Sequence, residues 1–218
     1  MRFAVATSTA AVLPTALSSA RAHLRQGTVD LELARLWALP MALAAVTAAA
    51  LAPRISIAGL TVVFAAVAAV VGIRMAATGD WWFRNALPAR PIQAGLAGMV
   101  GWISSSMGIG AGTLGVPTLA AIGAPMHTAV GTAALLGVFV SAPALLGWLW
   151  SMSAAPPVPG PSLGHIQLLP LAAMLVPMVL LAPRGARMAK SLPARNLRRM
   201  FGIFLFCVSV ALFDRARR

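Results

Sequence analysis

Apolar residues in this chain neither recur at the spacing of a surface helix nor alternate as in a half-buried strand; they run on in long blocks separated by short polar breaks. A bilayer crossing takes about 20 apolar residues, so such blocks predict membrane-spanning helices. In order they cover residues 3–20, 36–52, 57–77, 126–150, 168–182 and 200–213. The last is short for a crossing unless Leu197 and its neighbours join it. The first has Arg2 in front and small residues at its end, like a signal peptide, but Thr7, Ser8, Thr9, Pro14 and Thr15 spoil its apolar centre. It reads as a span rich in small residues that packs against other helices.

A further apolar stretch, 92–125, is punctuated in its middle: Ser-Ser-Ser-Met-Gly-Ile-Gly-Ala-Gly-Thr-Leu-Gly-Val-Pro from Ser104 to Pro117. Gly108, Gly110, Gly112 and Gly115 free the backbone, and Pro117 removes an amide donor, so no regular helix is expected to run through it. In hydrocarbon such a break is tolerated only where it is buried in protein or lines a wet cavity, and transporters use breaks of this kind to bind ions and polar substrates.

Composition agrees. The chain is 60% hydrophobic and 10% charged, against about 25% charged in soluble domains, which predicts an all-α, polytopic transmembrane bundle. Seventeen Lys and Arg against four acids give a formal charge of +13. Those basic residues fall between the apolar blocks without interleaved aromatic residues, which fits loops obeying the positive-inside rule and excludes a nucleic-acid surface. Arg far outnumbers Lys, a usage associated with GC-rich bacterial genomes; the expected location is a bacterial inner membrane, with the lipid bilayer as partner. Trp81, Trp82, Arg84 and Arg90, and separately Trp148 and Trp150, have the character of the headgroup layer. One cysteine, Cys207, allows neither a disulfide framework nor a Cys-based metal site.

The blocks repeat. Ala4-Val5-Ala6-Thr7 parallels Ala129-Val130-Gly131-Thr132, 125 positions on, and Leu51-Ala52-Pro53-Arg54 parallels Leu181-Ala182-Pro183-Arg184, 130 positions on, where Pro40 also meets Pro170. Residues 1–78 form a first module, 79–91 an interfacial loop and 92–218 a second module. The first copy lacks the glycine-rich unit, so a start codon set about 34 residues late, or a truncated or split chain, is expected. Loop 21–35 is basic while its counterpart 151–167 has no formal charge; turn 53–56 has one Arg while 183–199 has six basic residues. Equivalent loops then lie on opposite sides, as in an inverted repeat, with 92–125 as a re-entrant hairpin. The tail residues Arg215, Arg217 and Arg218 run against that scheme, since it puts them outside.

The chain resembles the sulfite exporter TauE/SafE family of membrane permeases over nearly its whole length. The likeness rests on Ala6-Thr7-Ser8, on Ala22-His23-Leu24-Arg25-Gln26-Gly27-Thr28-Val29-Asp30, on Gly108-Ile109-Gly110-Ala111-Gly112 with Val116-Pro117, and on Ala129-Val130-Gly131-Thr132. Gly164-His165-Ile166 and the stretches Ala189 to Pro193 and Leu197 to Gly202 extend it. It departs in lacking the first glycine-rich segment, in Ala111 replacing one glycine of the usual run, and in Ala133, where a serine is common. The resemblance implies ion-gradient-driven movement of small sulfur-containing or organic anions without ATP.

Candidate chemistry is sparse. Gly110 to Gly115 matches Gly-x-Gly-x-x-Gly, but no strand precedes it, Pro117 should cut the helix short, and no Asp or Glu occurs from 81 to 213. A dinucleotide site is excluded, and no cofactor is expected. The same glycines, Gly108, Gly110 and Gly112, can instead present amides to an anion at a half-helix end, or merely let helices pack closely. Thr132 beside Gly131, its partner Thr7, and Ser8 and Thr113 supply hydroxyls for an oxyanion or bond back to their own helices. Pro117 closes the candidate site. His127 is a candidate for proton coupling; His23 and Arg25, read as interfacial, serve as solvated loop residues or in anion capture. Three scattered histidines without nearby carboxylates make no metal site or catalytic dyad, and Asp30 and Glu32 cap or solvate, so no enzyme is expected. The sequence points to a permease for small anions; the alternative is a non-transporting membrane subunit or scaffold, or an inactive truncated copy. Oligomeric state, including a homo-oligomer, stays open.

Overall fold

A computed structural model describes residues 2–51, 57–77, 88–150, 161–163 and 166–217. These form eight helices: α1 Arg2–Arg25, α2 Leu31–Leu51, α3 Ile57–Ala77, α4 Arg90–Met107, α5 Gly112–Ala121, α6 Met126–Trp150, α7 Leu168–Ser191 and α8 Ala194–Arg217. One two-residue antiparallel ladder, β1 Ser162–Leu163 with β2 Ile166–Gln167, precedes α7. The fold is an all-α polytopic bundle. Within α2, α6, α7 and α8 lie four stretches long and apolar enough to cross a membrane. Trp81, Trp82, Arg84, Pro53, Arg54, His165 and residues 151–160 lie outside the described residues, as do the side chains of Trp148 and Trp150.

Several helices outrun their apolar blocks. α1 continues past residue 20 to Arg25, α2 starts at Leu31 rather than 36, α7 passes 182 to reach Ser191, and α8 spans 24 residues, about 36 Å. Charged residues end a hydropathy block without ending a helix, because long basic side chains reach the interface and complement the C-terminal dipole. The short last block is thereby corrected to a helix of full crossing length.

Contacts fix the helix directions. Thr7 meets Gln167, Ser18 meets Val179 and Gln26 meets Lys190, so α1 and α7 run parallel. Asp30 meets Thr132 and Ala49 approaches Gly147, so α2 and α6 run parallel. The turn between α1 and α2 closes on Gly27, with φ of +67°, as the Thr28 and Gln26 amides return to the His23 carbonyl. α1 and α2 are therefore antiparallel. α4 runs with α2, since Trp37 Nε1 donates to Gln93 Oε1 at 3.1 Å and Ser105 Oγ donates to the Ala45 carbonyl at 3.1 Å. Segment Arg90 to Pro125 thus begins and ends beside the same end of α2.

α3 and α8 cross antiparallel through two glycines 130 positions apart. A Cβ on Gly72 would stand 2.8 Å from the Gly202 carbonyl oxygen, and one on Gly202 would stand 2.7 Å from that of Gly72. Close backbone approach of this kind is the usual means of packing helices where lipid offers no hydrophobic drive. The core lies where α2, α4, α5 and α6 meet, around the fully buried Trp37, Met41, Leu119 and Leu136. Leu43, Val70, Val176, Leu180, Ile203 and Val210 face outward, a loss in water but neutral against acyl chains. Arg21, Arg25, Arg35, Lys190, Arg195 and Arg199 gather toward the end of the bundle where α1 finishes and α2 and α8 start.

Candidate functional site

The break between α4 and α5 spans four residues, Gly108 to Ala111, narrower than the stretch from Ser104 to Pro117. Gly108, at φ +66°, ends α4 as the Gly108 and Ile109 amides return to Ser105 and Ser104 carbonyls, each at 3.2 Å. Gly110 is also left-handed, at φ +71°, so a side chain is strained at either position. Pro117 sits inside α5 rather than ending it. The carbonyl its missing N–H would have bonded belongs to Thr113, in the first turn of a ten-residue helix, and the ring is buried in the core. The first intrahelical bond of α5 runs from Gly115 N–H to the Ala111 carbonyl at 2.7 Å. The amides of Gly112, Thr113 and Leu114 precede it, the orphan donors of any helix start.

A cavity of about 310 Å³ lies against this break. Gly110, Ala111 and Gly112 form one wall, Thr15, Ser19 and His23 of α1 another, and Ala133 and Gly137 of α6 a third. Nothing lies within 4 Å of where a Cβ on Gly112 would be. His23, read as interfacial from sequence, is buried at 3% exposure. Its Nδ1 lies 2.8 Å from Thr28 Oγ1, whose hydroxyl also reaches the His23 carbonyl at 3.2 Å. With that hydroxyl donating to the carbonyl, Nδ1–H donates to Thr28 Oγ1, and Nε2 stays free beside the cavity. Two larger grooves, about 460 Å³ each, lie on the outer faces of the α2–α6 and α1–α7 pairs. Neither touches the break.

The other sequence candidates are distributed as follows. Ser8 reaches the break, its Oγ donating to the Gly108 carbonyl at 2.7 Å. Thr132 Oγ1 accepts the Asp30 amide and Thr7 Oγ1 accepts the Gln167 amide, both at 3.0 Å. Asp30 and Gln167 each immediately precede a helix, α2 and α7, so two threonines 125 positions apart do the same work at two helix starts. Asp30 also caps α2 through Oδ1 to the Leu33 amide at 2.9 Å. Gly131 lies under the α1–α2 turn, where a Cβ would run into the Thr28 carbonyl. His127 Nε2 donates to the Leu192 carbonyl at 3.0 Å, tying the start of α6 to the α7–α8 turn. Arg25 is exposed and borders the α1–α7 groove. The cavity lining includes Gly110, Gly112 and His23; it does not include Gly108, Thr113, Pro117, Gly131, Thr132, Thr7, Ser8, His127 or Arg25.

Thr15 and Ser19 were not singled out from sequence, although the signal is present. Thr15, Ser19 and His23 follow one another at four-residue intervals, which puts them on one stripe of a helix. The Thr15 hydroxyl donates to the Ala11 carbonyl at 2.8 Å, leaving its lone pairs for the cavity.

No solved structure matches the chain. A Haemophilus influenzae (strain ATCC 51907 / DSM 11121 / KW20 / Rd) protein described as a probable membrane transporter protein is 25% identical over 214 residues, 98% of this chain and 81% of that protein. The family model described as Sulfite exporter TauE/SafE matches residues 1–212. With a glycine-broken helix lining a cavity inside a multi-pass bundle, and that match over almost its full length, this chain belongs to the sulfite exporter TauE/SafE family of membrane transport proteins.

Proposed function

We propose that this chain is an inner-membrane permease that carries small anions, such as sulfite, sulfonates or other sulfur-containing organic anions, through the cavity at the α4–α5 break, driven by an ion gradient. One observation carries this reading: Gly110 to Gly112, Thr15, Ser19 and His23 converge on one cavity of about 310 Å³, the lower end of the usual ligand-pocket range of about 300–1,000 Å³. The start of α5 supplies orphan amides and the positive end of a helix dipole, both favourable to an anion. A bare cavity-facing wall at Gly112 leaves room for the anion to approach that backbone.

The reading extends to mechanism. The two halves act as inverted copies, rocking against each other about the site. Support comes from paired contacts: Thr7 with Gln167 against Thr132 with Asp30, and Gly72 with its counterpart Gly202 at the α3–α8 crossing. Equivalent helices in this scheme, α1 with α6 and α2 with α7, run antiparallel. The basic end of the bundle then faces the cytoplasm by the positive-inside rule.

The test is transport by purified protein in proteoliposomes across a panel of sulfite, small sulfonates and small carboxylates under imposed ion gradients. Saturable flux of at least one sulfur-containing anion, above that of protein-free vesicles, is expected. Absence of flux for every anion under every gradient would overturn the reading.

A further inference from the structure

The groove of about 460 Å³ on the outer face of the α1–α7 pair is graded along its length. Its α1 wall is a single stripe at helical spacing, running from Pro14 through Leu17 and Arg21 to Arg25, and Val179 and Pro183 of α7 face it. One end is apolar. At the other, two guanidiniums stand one helical turn apart, toward the end of the bundle where Lys190 reaches the Gln26 carbonyl. From Pro14 to Arg25 the helix rises about 16 Å, half of a hydrocarbon core of about 30 Å and so the depth of one leaflet.

Polar groups along the groove are paired, apart from the two arginines. Pro183 has no N–H, so the Val179 carbonyl one turn before it lacks its helical donor; the Ser18 hydroxyl, also in the lining, supplies one at 2.9 Å. Arg184 donates to the Leu180 carbonyl and Lys190 to that of Gln26. Arg21 and Arg25 differ from these. Both are exposed, and neither has a hydrogen-bond or ion-pair partner among the described residues. Among those residues no carboxylate lines the groove, and Asp30, the acid nearest in sequence, has Oδ1 on the Leu33 amide.

We propose that this groove binds one anionic phospholipid, its phosphate between Arg21 and Arg25 and an acyl chain along Pro14, Leu17, Val179 and Pro183. Guanidinium forks match phosphate oxygens two at a time. α7 is long and apolar enough to cross a membrane, so the charged end of the groove beside it falls at headgroup depth. A free inorganic anion would use the arginines and leave the apolar length bare. A zwitterionic lipid would fill that length but bring an ammonium to a groove that already carries two positive charges. An anionic phospholipid meets both halves, and basic pockets between membrane-spanning helices hold such headgroups in this way. The inference does not depend on the permease reading, since the groove does not touch the α4–α5 break.

The experiment uses the full chain in detergent and native mass spectrometry, with phosphatidylglycerol and phosphatidylcholine of the same acyl chains as probes. Retention of phosphatidylglycerol over phosphatidylcholine, approaching one molecule per chain, is expected. Arg21→Gln with Arg25→Gln should weaken that retention about tenfold or more, equivalent to about 1.4 kcal/mol; both side chains are exposed and make no bond within the described residues, so the fold is kept. Arg195→Gln with Arg199→Gln removes the same charge from the same end of the bundle, outside the groove, and should leave retention unchanged. No preference between the two lipids, or equal loss in both double variants, overturns the site and leaves only a diffuse basic surface. Displacement of the lipid by inorganic phosphate at equal concentration also overturns it, by showing that the arginines select a free anion.

Discussion

Replacing Gly202 with alanine puts a methyl group where α3 already stands. Its carbon would lie 2.7 Å from the Ala76 amide nitrogen and the Gly72 carbonyl oxygen, and 3.0 Å from the Met75 carbonyl carbon. Non-bonded carbons rest at about 3.5–4.0 Å, so the two helices must part by about 0.5–1 Å, a gap that forfeits about a quarter to a half of the attraction at each atom pair along the seam. Overpacking of this kind costs about 1–3 kcal/mol. Alanine returns about 1 kcal/mol through its helix preference. The same change at Gly112 meets nothing within 4 Å, so only the favourable part remains there. Gly202→Ala is therefore expected to be less stable than Gly112→Ala by about 1–3 kcal/mol, a difference of about 2–12 °C in melting midpoint for a chain of this size. Tryptophan fluorescence on heating in detergent reads the midpoint for both variants. Equal midpoints, or a more stable Gly202→Ala, would refute the close crossing of α3 and α8.

Thr132→Val and Thr7→Val each orphan a backbone amide, at Asp30 and Gln167, and should each lower stability by about 1–3 kcal/mol; Thr132→Ser, which keeps the oxygen, should restore most of it, and a neutral valine at both positions would show the bonds to be dispensable. Ser8→Ala removes the donor to the Gly108 carbonyl and should speed amide hydrogen exchange at residues 108 to 112; unchanged exchange there would mean that α1 does not hold the break. In a Cys207→Ala background, cysteines replacing Gln26 and Ser162 should react with a membrane-impermeant maleimide from opposite faces, since they lie at opposite ends of α1 and α7. Labelling of both from one face would contradict the helix directions.

The apolar blocks carry enough information for the four stretches of α2, α6, α7 and α8 that are long and apolar enough to cross, because a bilayer imposes length and hydropathy on every crossing helix. The glycine run carries enough for the break, because few residues tolerate the positive φ seen at Gly108 and Gly110. Its extent was not legible. Ser104 to Met107 stay helical up to the cap at Gly108, and Pro117 is accommodated within α5. Neither outcome follows from residue types alone. The burial of His23 depends on α6 and α7 packing against α1, a tertiary event that a charge-rich segment conceals. Thr7 and Gln167 lie 160 positions apart, and no local pattern announces that one caps the other. Gly72 and Gly202 fit the 130-residue offset, yet two glycines among nineteen do not stand out until their helices are seen to touch.

Small-anion flux through vesicles bearing Gly112→Leu tests the central claim most directly. That side chain enters the cavity from a position with open space before it and no positive φ to strain, whereas Gly95→Leu adds the same side chain on the exposed side of α4. At matched insertion, sulfite flux through Gly112→Leu should fall about tenfold or more, equivalent to about 1.4 kcal/mol, while Gly95→Leu transports as the unaltered protein does. Undiminished flux through correctly inserted Gly112→Leu would place the pathway somewhere other than the α4–α5 break.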